Sequence, residues 1–356
     1  MLIYWILFLL PAWLAMTRLR PVQIHPKRWS GYWWVAFLLL VLVIGLRHQV
    51  GMDWDHYLIH ILVAEYDSLG QAATRTDPAY SLLNWLVVQL GLGIYMVNTV
   101  CAALFSWGLL VFCRAQPRPW LALVVALPYL VIVVAMGYTR QGVAIGMVLL
   151  ALVALSERKL LLFVVFMALA ATFHKSAVIL MPLAVLSSTR NRIWTALWVG
   201  LTTLLFFVLL LQESVAVFTA NYIEVQYDSA GAGVRVAMNA LPAVLFLLYR
   251  KRFDVPLADR ALWNWLSWGA LAFVGLLAVS PSSTAVDRVA LYWIPLQLFV
   301  FSRLPEALGQ RNGYNAQWVG AVVVYSAAVL FVWLFFAVHA RGWLPYQFYP
   351  WLMLWG

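Results

Sequence analysis

Apolar runs of about 20 residues recur from one end of this chain to the other, and they restrict its fold more than any other feature. An α-helix of that length crosses a hydrocarbon core of about 30 Å. Hydrophobic residues make up 65% of the 356 residues and charged residues only 10%. A soluble chain carries about 25% charged residues, so this one cannot cover a water-facing surface. The sequence therefore predicts an all-α, polytopic integral membrane protein.

The apolar runs between polar breaks predict about twelve transmembrane helices in a single transmembrane domain, residues 1–356. Their approximate bounds are 2–16, 30–46, 92–112, 119–137, 141–155, 160–173, 176–186, 193–211, 235–249, 261–279, 289–302 and 316–338. The first run lacks a basic n-region and a cleavage site, so we expect a retained span rather than a signal peptide. Residues 80–90 are apolar but short, which favours a helix at the membrane interface.

The polar breaks between successive spans fall alternately on the two sides of the membrane and so form two sets. Basic residues are divided unequally between these sets. One set holds 16 of the 23 basic residues against four acids. By the positive-inside rule these loops are cytoplasmic, which puts both termini on the outer face. The net charge of +10 is therefore interpreted as a topological bias, and no nucleic-acid partner is predicted.

The remaining seven basic residues are predicted on the outer face, and most lie at the end of a span. They are Arg47, Arg75, Arg140, Lys175, Arg235, Arg288 and Arg341. A cation at a span end is costly unless it snorkels, pairs with an acid or meets a ligand. Each could simply pair or snorkel, as Arg288 could with its neighbour Asp287. Together they would form a receptor for a phosphate or pyrophosphate, such as a lipid-linked pyrophosphate.

Candidate acid–base groups cluster in "GLRHQVGMDWDHYLIH", residues 45–60, and in "FHKSA", residues 173–177. The general-base candidates are His48, Asp53, Asp55, His56 and His174. A metal site containing His56 and His60 is an open alternative, but neither a metal nor a cofactor is predicted. We expect the outer loops 47–80 and 212–235 to form the substrate-binding region. The Gly-Ala-Gly before Arg235 is either a turn or a loop hinge.

Several of these segments resemble, in order, the motifs of the EpsG-type branch of the Wzy family of polysaccharide polymerases. "LRHQVGMDWDHY" is similar to an Arg–x–x–x–Gly–x–Asp–aromatic–x–x–Tyr element, and "TDPAYSLLNWL" to an acidic–Pro–Gly–Tyr–x–Leu–x–Asn element. In the second, Asp77 stands where Glu is usual and Ala79 where Gly is usual. "TRQGVA", "ATFHKSAVI", "DRVALYW" and "LPYQF" resemble later elements, so that the similarity spans residues 45 to 350.

The resemblance implies a GT-C-like helical glycosyltransferase of the bacterial inner membrane, with both termini and the active site facing the periplasm. It implies transfer of a growing glycan from undecaprenyl pyrophosphate to the next lipid-linked repeat unit within the lipid bilayer. The implied partners are the lipid-linked donor and acceptor and a chain-length regulator.

The hypothesis assigns catalysis to four residues: Asp53 or His174 as general base, and Arg140 and Arg288 as neutralisers of the leaving pyrophosphate. The predicted substrate-binding residues are Arg47, Tyr57, Asp77, Tyr80, Gln141, Lys175, Arg235, Tyr292 and Tyr346. Two alternatives stay open from the sequence. One is a ligase of the O-antigen type that uses the same donor, and the other is a transporter of lipid-linked oligosaccharide or polysaccharide.

Overall fold

The computed structural model describes residues 1–22, 29–183, 197, 200, 201, 231–280 and 282–355. Within these ranges, six helices are long and apolar enough to cross a membrane, and four shorter helices are also apolar. The sheet content described is one pair of two-residue strands. The prediction of an all-α membrane protein is confirmed.

The N-terminal half contains nine α-helices, a short strand and a closing 3-10 helix. They are α1 (Leu2–Thr17), α2 (Gly31–Gly45), β1 (Arg47–His48), α3 (Trp54–Tyr66), α4 (Leu69–Thr74), α5 (Pro78–Gln89), α6 (Ile94–Arg114), α7 (Pro119–Ala126, continued by the π-helix Leu127–Ala135), α8 (Thr139–Ser156), α9 (Leu160–Phe173) and the 3-10 helix Lys175–Leu180.

The C-terminal part described begins after residue 230. It comprises α10 (Ala232–Tyr249), α11 (Leu257–Val279), α12 (Ser283–Ala290), the 3-10 turn Leu291–Trp293, α13 (Ile294–Leu308), α14 (Ala316–Phe336), the 3-10 helix Val338–Trp343, β2 (Gln347–Phe348) and α15 (Tyr349–Trp355). The turn joins α12 and α13 into one apolar helical segment, Ser283–Leu308.

Ten of the predicted spans coincide with the ten apolar helices. The predicted span 176–186 differs, because it starts as the six-residue 3-10 helix Lys175–Leu180. Pro182 has no N–H to donate to residue 178, which disfavours an α-helix there. The predicted span 193–211 lies outside the described residues apart from three positions. The apolar segment 80–90 falls in α5, as a helix.

The core of the bundle is formed by α7 and its π-helical continuation. Every residue from 120 to 137 is buried. This segment packs against α1, α6, α8, α13 and α14. Beside it, α8 packs on α6 and α9. Gly146 allows α8 to approach α6 closely, since a Cβ at this position would lie 2.8 Å from the Cα of Phe105 in α6.

Ion pairs of the described residues fall at two opposite ends of the same helices. One end, which we name the Arg140 end, holds Arg140–Asp77 and Arg235–Asp287. The other, named the Arg303 end, holds Arg118–Glu306, Arg158–Asp259 and Arg311–Asp254. The helix α13 runs from one end to the other and is about 22 Å long at 1.5 Å per residue.

Candidate functional site

Polar side chains from separate segments of the chain meet at the Arg140 end. They come from the loop before α3, the start of α5, the start of α8, the junction after α9, and α12 with the turn that follows it. The residues are Asp53, Asp77, Arg140, Gln141, His174, Lys175, Arg288 and Tyr292. Arg140, Lys175 and Arg288, three of the seven cations that the sequence predicts at one face, lie at this end.

Asp77 connects two of the cationic residues. Its Oδ2 accepts a hydrogen bond of 2.9 Å from Arg140 Nη1, and its Oδ1 accepts one of 3.4 Å from the backbone N–H of Lys175. Asp77 is the N-cap residue of α5 and has a φ of 57°, a left-handed conformation that Asp tolerates better than most residues. Its side chain forms no capping hydrogen bond to the helix. Burial raises the pKa of Asp77, while Arg140 opposes that rise. A partly buried ion pair therefore fixes Arg140 beside the Lys175 backbone.

Asp53 lies just before the first turn of α3 and is only partly buried. Burial raises the pKa of the Asp53 carboxyl, and the positive charges of Arg288 and Arg140 oppose that rise. The carboxylate thus shares one electrostatic environment with both guanidinium groups. A partly exposed carboxylate under the influence of two cations can accept a proton from a hydroxyl bound beside it.

Arg288 and Arg235 have different environments. Arg235 Nε donates to Asp287 Oδ1 over 2.6 Å. Asp287 therefore pairs with Arg235 and not with its chain neighbour Arg288. The side chain of Arg288 is exposed, stacks over the ring of Tyr138 at 5.9 Å, and forms no ion pair with a carboxylate of the described residues. Its guanidinium is available to an incoming anion.

His174 ends α9 in an extended conformation and faces Tyr292, whose hydroxyl lies 3.1 Å from His174 Nδ1. Burial lowers the pKa of His174 to about 3, and the positive charges of Arg140 and Arg288 act in the same direction. The imidazole is therefore neutral near pH 7. The neighbouring Lys175 also has a lowered pKa, mainly through burial.

Aromatic rings line the side of the site formed by α3 and α5. The rings of Tyr57 and Tyr80 lie 5.8 Å apart and both residues are buried, while His60 contacts Tyr80 edge-on at 5.6 Å. Arg140 lies 5.8 Å from the Tyr80 ring, within the range of a cation–π interaction. Asp53 and Tyr57 lie one helical turn apart at the start of α3, where the Tyr57 N–H donates to the Asp53 carbonyl over 3.1 Å.

Arg47 is fully buried and is bonded internally. Its guanidinium donates to the carbonyls of Ile44 and Val50 and, over 2.8 Å, to Thr139 Oγ1. Gly51 follows with φ of 104°, where a Cβ would lie 2.8 Å from the Met136 carbonyl oxygen. The Arg47 to Gly51 segment therefore packs closely on the turn that precedes α8. Arg47 does not itself reach the exposed part of the site.

The other predicted positions have varied placements. Gln141 donates to the backbone carbonyl of Arg288 over 2.7 Å, which ties α8 to α12. Tyr346 donates to the Val43 carbonyl over 2.8 Å. Asp55 and His56 are exposed on α3. Arg75 pairs with Asp67 in an exposed ion pair. Loop residues 212–230 lie outside the described part of the chain, as do the acids that they contain.

Thr139 was not predicted as a functional residue, and Asp287 was predicted only as a possible partner of Arg288. Thr139 joins Arg47 to the site, and Asp287 neutralises Arg235. Thr139 lies directly before Arg140 in "YTRQG", so its position in that motif was the available signal. Among the residues that the structure describes, no group of three or more His, Cys, Asp or Glu is placed to hold a metal ion.

The fold and this site define an all-α membrane protein with a cationic, aromatic-lined polar site at one end of its helices. A model of the EpsG family matches residues 31–348, and the chain belongs to that family. Membership suggests a function like that of a polysaccharide polymerase. Comparisons with curated proteins and with solved structures gave no significant match.

Proposed function

We propose that the chain is a glycosyltransferase that polymerises polysaccharide at the periplasmic face of the bacterial inner membrane. The donor is a glycan carried on undecaprenyl pyrophosphate, and the acceptor is the next lipid-linked repeat unit. The observation that carries the proposal is the exposed Arg288 guanidinium beside the Asp77–Arg140 ion pair and Asp53. This arrangement suits a pyrophosphate leaving group next to a proton acceptor.

In the proposed reaction, an acceptor hydroxyl oxygen attacks the anomeric carbon of the glycan and its proton passes to the Asp53 carboxylate. The bond between the anomeric carbon and the pyrophosphate oxygen breaks, and its electron pair leaves with the pyrophosphate. Arg288 and Arg140 stabilise the negative charge that develops there, which contributes most when the site excludes water. Lys175 adds positive charge, while Tyr57, Tyr80 and Tyr292 position sugars or head groups.

Other predicted residues act on the site indirectly in this proposal. Arg47 positions the turn before α8, because its donors are bonded to protein groups. Gln141 fixes the Arg288 backbone, and Asp77 orients Arg140. Tyr346 holds the C-terminal segment against α2. Arg235 is paired with Asp287 and therefore supplies less charge than Arg288.

An apolar cavity beside Arg235 supports a lipid-linked substrate. It has a volume of about 640 Å³ and is lined mainly by apolar side chains of α10 and α14, with Tyr129 and Arg235 among its polar groups. A cavity of this composition suits a hydrocarbon tail, and Arg235 lies where that tail would approach the polar site. We propose that it holds part of the polyisoprenoid tail.

The test uses the purified chain in nanodiscs with EDTA and undecaprenyl-pyrophosphate-linked repeat units. A ladder of longer glycans with released undecaprenyl pyrophosphate supports the polymerase. A single addition to another acceptor supports a ligase, and movement of intact substrate across the bilayer supports a transporter. Arg288→Gln is expected to lower turnover by about 10²–10³-fold. The matched control is Arg75→Gln, an exposed arginine in its own ion pair, and equal turnover in the two variants contradicts the assignment.

A further inference from the structure

A second, larger cavity opens at the Arg303 end, away from the proposed catalytic site. Its volume is about 900 Å³, and six basic side chains line it against two carboxylates. The basic residues are Arg114, Lys251, Arg252, Arg260, Arg303 and Arg311. The volume is within the range of about 300–1,000 Å³ that small-molecule sites occupy. The positive-inside bias explains cations in these loops but not their arrangement around one cavity.

The two carboxylates of the cavity each accept hydrogen bonds from an arginine, and Glu306 Oε2 has no partner among the described residues. Glu306 accepts hydrogen bonds of 2.8 and 2.6 Å from Arg118, and Asp254 accepts one of 2.9 Å from Arg311. Among the described residues, four of the lining cations form no ion pair with a carboxylate: Lys251, Arg252, Arg260 and Arg303. The acids outside the described residues belong to the loop predicted at the opposite face. The cavity therefore carries an excess of positive charge.

The guanidinium of Arg303 is held in a defined orientation. It stacks on the Phe299 ring at 3.9 Å, and that ring stacks on Trp263 at 3.5 Å. Arg303 Nη1 donates to the side-chain oxygen of Gln116, a buried residue whose own amide donates to the Phe112 carbonyl over 2.8 Å. A cation kept partly buried at a helix end is costly unless it meets an anion. Its planar fork matches phosphate oxygens.

Arg260 borders the same cavity from the start of α11. Its Nε donates to the Val255 carbonyl over 3.1 Å, which fixes the side chain beside the loop that carries Lys251 and Arg252. Arg303 and Arg260 thus belong to different helices and line one cavity. Two ordered guanidinium groups and neighbouring cations form a typical environment for a phosphate group.

We propose that this cavity binds a phosphate-bearing anion, independently of the proposed polymerase site. The anion is either the head group of a lipid in the adjacent leaflet or a free phosphate compound. Both share the chemistry that Arg303 and Arg260 recognise. The site lies at the end of α13 opposite Tyr292, so an anion bound there does not contact the residues of the Arg140 end.

The test separates the two sources of phosphate and keeps the two ends of the molecule distinct. All variants are made in an Arg288→Gln background, which removes the exposed guanidinium of the Arg140 end. In one arm, sodium pyrophosphate is titrated by calorimetry into the chain in phosphatidylcholine nanodiscs. In the other, native mass spectrometry counts phosphatidic acid retained from nanodiscs of phosphatidylcholine with phosphatidic acid.

Arg303→Gln and Arg260→Gln are each expected to weaken binding about tenfold or more, because each removes a charge-assisted hydrogen bond. The control Arg18→Gln removes an exposed cation of the same end that does not line the cavity, and leaves binding unchanged. If the substitutions weaken the binding of pyrophosphate, the ligand is assigned as a free phosphate compound. If they weaken only the retention of phosphatidic acid, the ligand is assigned as a lipid head group. Binding that neither substitution weakens in either arm overturns the proposal. Arg260→Gln, at a partly exposed position, keeps the test valid if Arg303→Gln does not fold.

Discussion

At the scale of single residues, burial separates the two candidates for general base. The pKa of Asp53 is raised and that of His174 is lowered to about 3. A group with a higher pKa holds an abstracted proton more strongly, which favours Asp53. His174 is better suited to accept a hydrogen bond from Tyr292 and to donate one through its other ring nitrogen. Asp53 is therefore proposed as the general base, and His174 as a hydrogen-bonding partner of Tyr292.

Asp53→Asn is expected to lower turnover by about 10²–10⁴-fold, because the amide cannot accept the acceptor's proton. Substrate binding should persist, since the guanidinium groups remain. Turnover and retention of the lipid-linked donor are measured on the same nanodisc preparations. Asp55→Asn changes an exposed carboxylate on the next residue and should leave turnover unchanged. Similar losses in both variants would contradict the assignment.

The pH dependence of kcat/KM tests the same residue without removing it. The base form of Asp53 is the carboxylate, so activity should fall as pH decreases through its raised pKa. This acid limb is expected at a higher pH than an unperturbed Asp would give. His174 is neutral above about pH 3 and contributes no limb between pH 5 and 8. The acid limb of the kcat/KM profile should persist in His174→Gln. Its loss in that variant would indicate that His174, and not Asp53, is the general base.

Residue pairing was only partly predictable from the sequence. The excess of outer-face cations predicted a common site, because charges at span ends need an anion or a partner. The sequence could not give the pair Arg235–Asp287, since residues from α10 and α12 meet only after the helices pack. The burial of Arg47 also depends on packing, because Thr139 comes to it from a distant helix.

At the scale of helices, the close approach of α6 and α8 positions Arg140. A Cβ on Gly108 would lie 2.0 Å from the Gly146 carbonyl oxygen, so the two backbones are in direct contact. Small residues at such a contact let membrane helices gain van der Waals packing along their length. Arg140 is the second residue of α8, and a displaced α8 would move its guanidinium away from Asp77.

Gly146→Leu is therefore expected to lower both thermal stability in detergent and turnover, because the side chain must separate α6 from α8. The matched control is Gly275→Leu, in α11, where a Cβ meets no atom within 4 Å. That substitution also improves helix propensity. Unfolding temperatures of the two variants are compared by scanning fluorimetry. If Gly146→Leu is as stable as Gly275→Leu, the contact does not hold α8 in place.

Helix type was harder to predict than helix position. The apolar runs located ten apolar helices, six of them long enough to cross a membrane, because an apolar run of sufficient length is itself the requirement for crossing lipid. The π-helical stretch Leu127–Ala135 has no distinct apolar pattern, so the sequence predicted an ordinary helix there. The same limit applies to Lys175–Leu180, where the run is apolar but its backbone is 3-10.

At the scale of the whole molecule, the two ends of the chain meet beneath the proposed site. The Tyr4 hydroxyl in α1 donates to the Trp343 carbonyl over 2.7 Å, and Trp343 Nε1 donates to the Ile132 carbonyl in the π-helix over 2.7 Å. The strands β1 and β2 pair antiparallel, with Arg47 opposite Phe348. The C-terminal segment therefore braces the loop that carries Asp53.

Trp343→Ala is expected to destabilise the chain by about 3–5 kcal/mol, because it removes a large, fully buried side chain and its hydrogen bond. Its ring fills the space where a Cβ on Gly137 would lie 2.3 Å away, so the turn before Arg140 also loses its support. Unfolding temperature and turnover should fall together. Trp268→Ala, which removes a ring that is 58% exposed, should change neither. Normal turnover in a destabilised Trp343→Ala would mean that the C-terminal segment supports the fold without positioning the site.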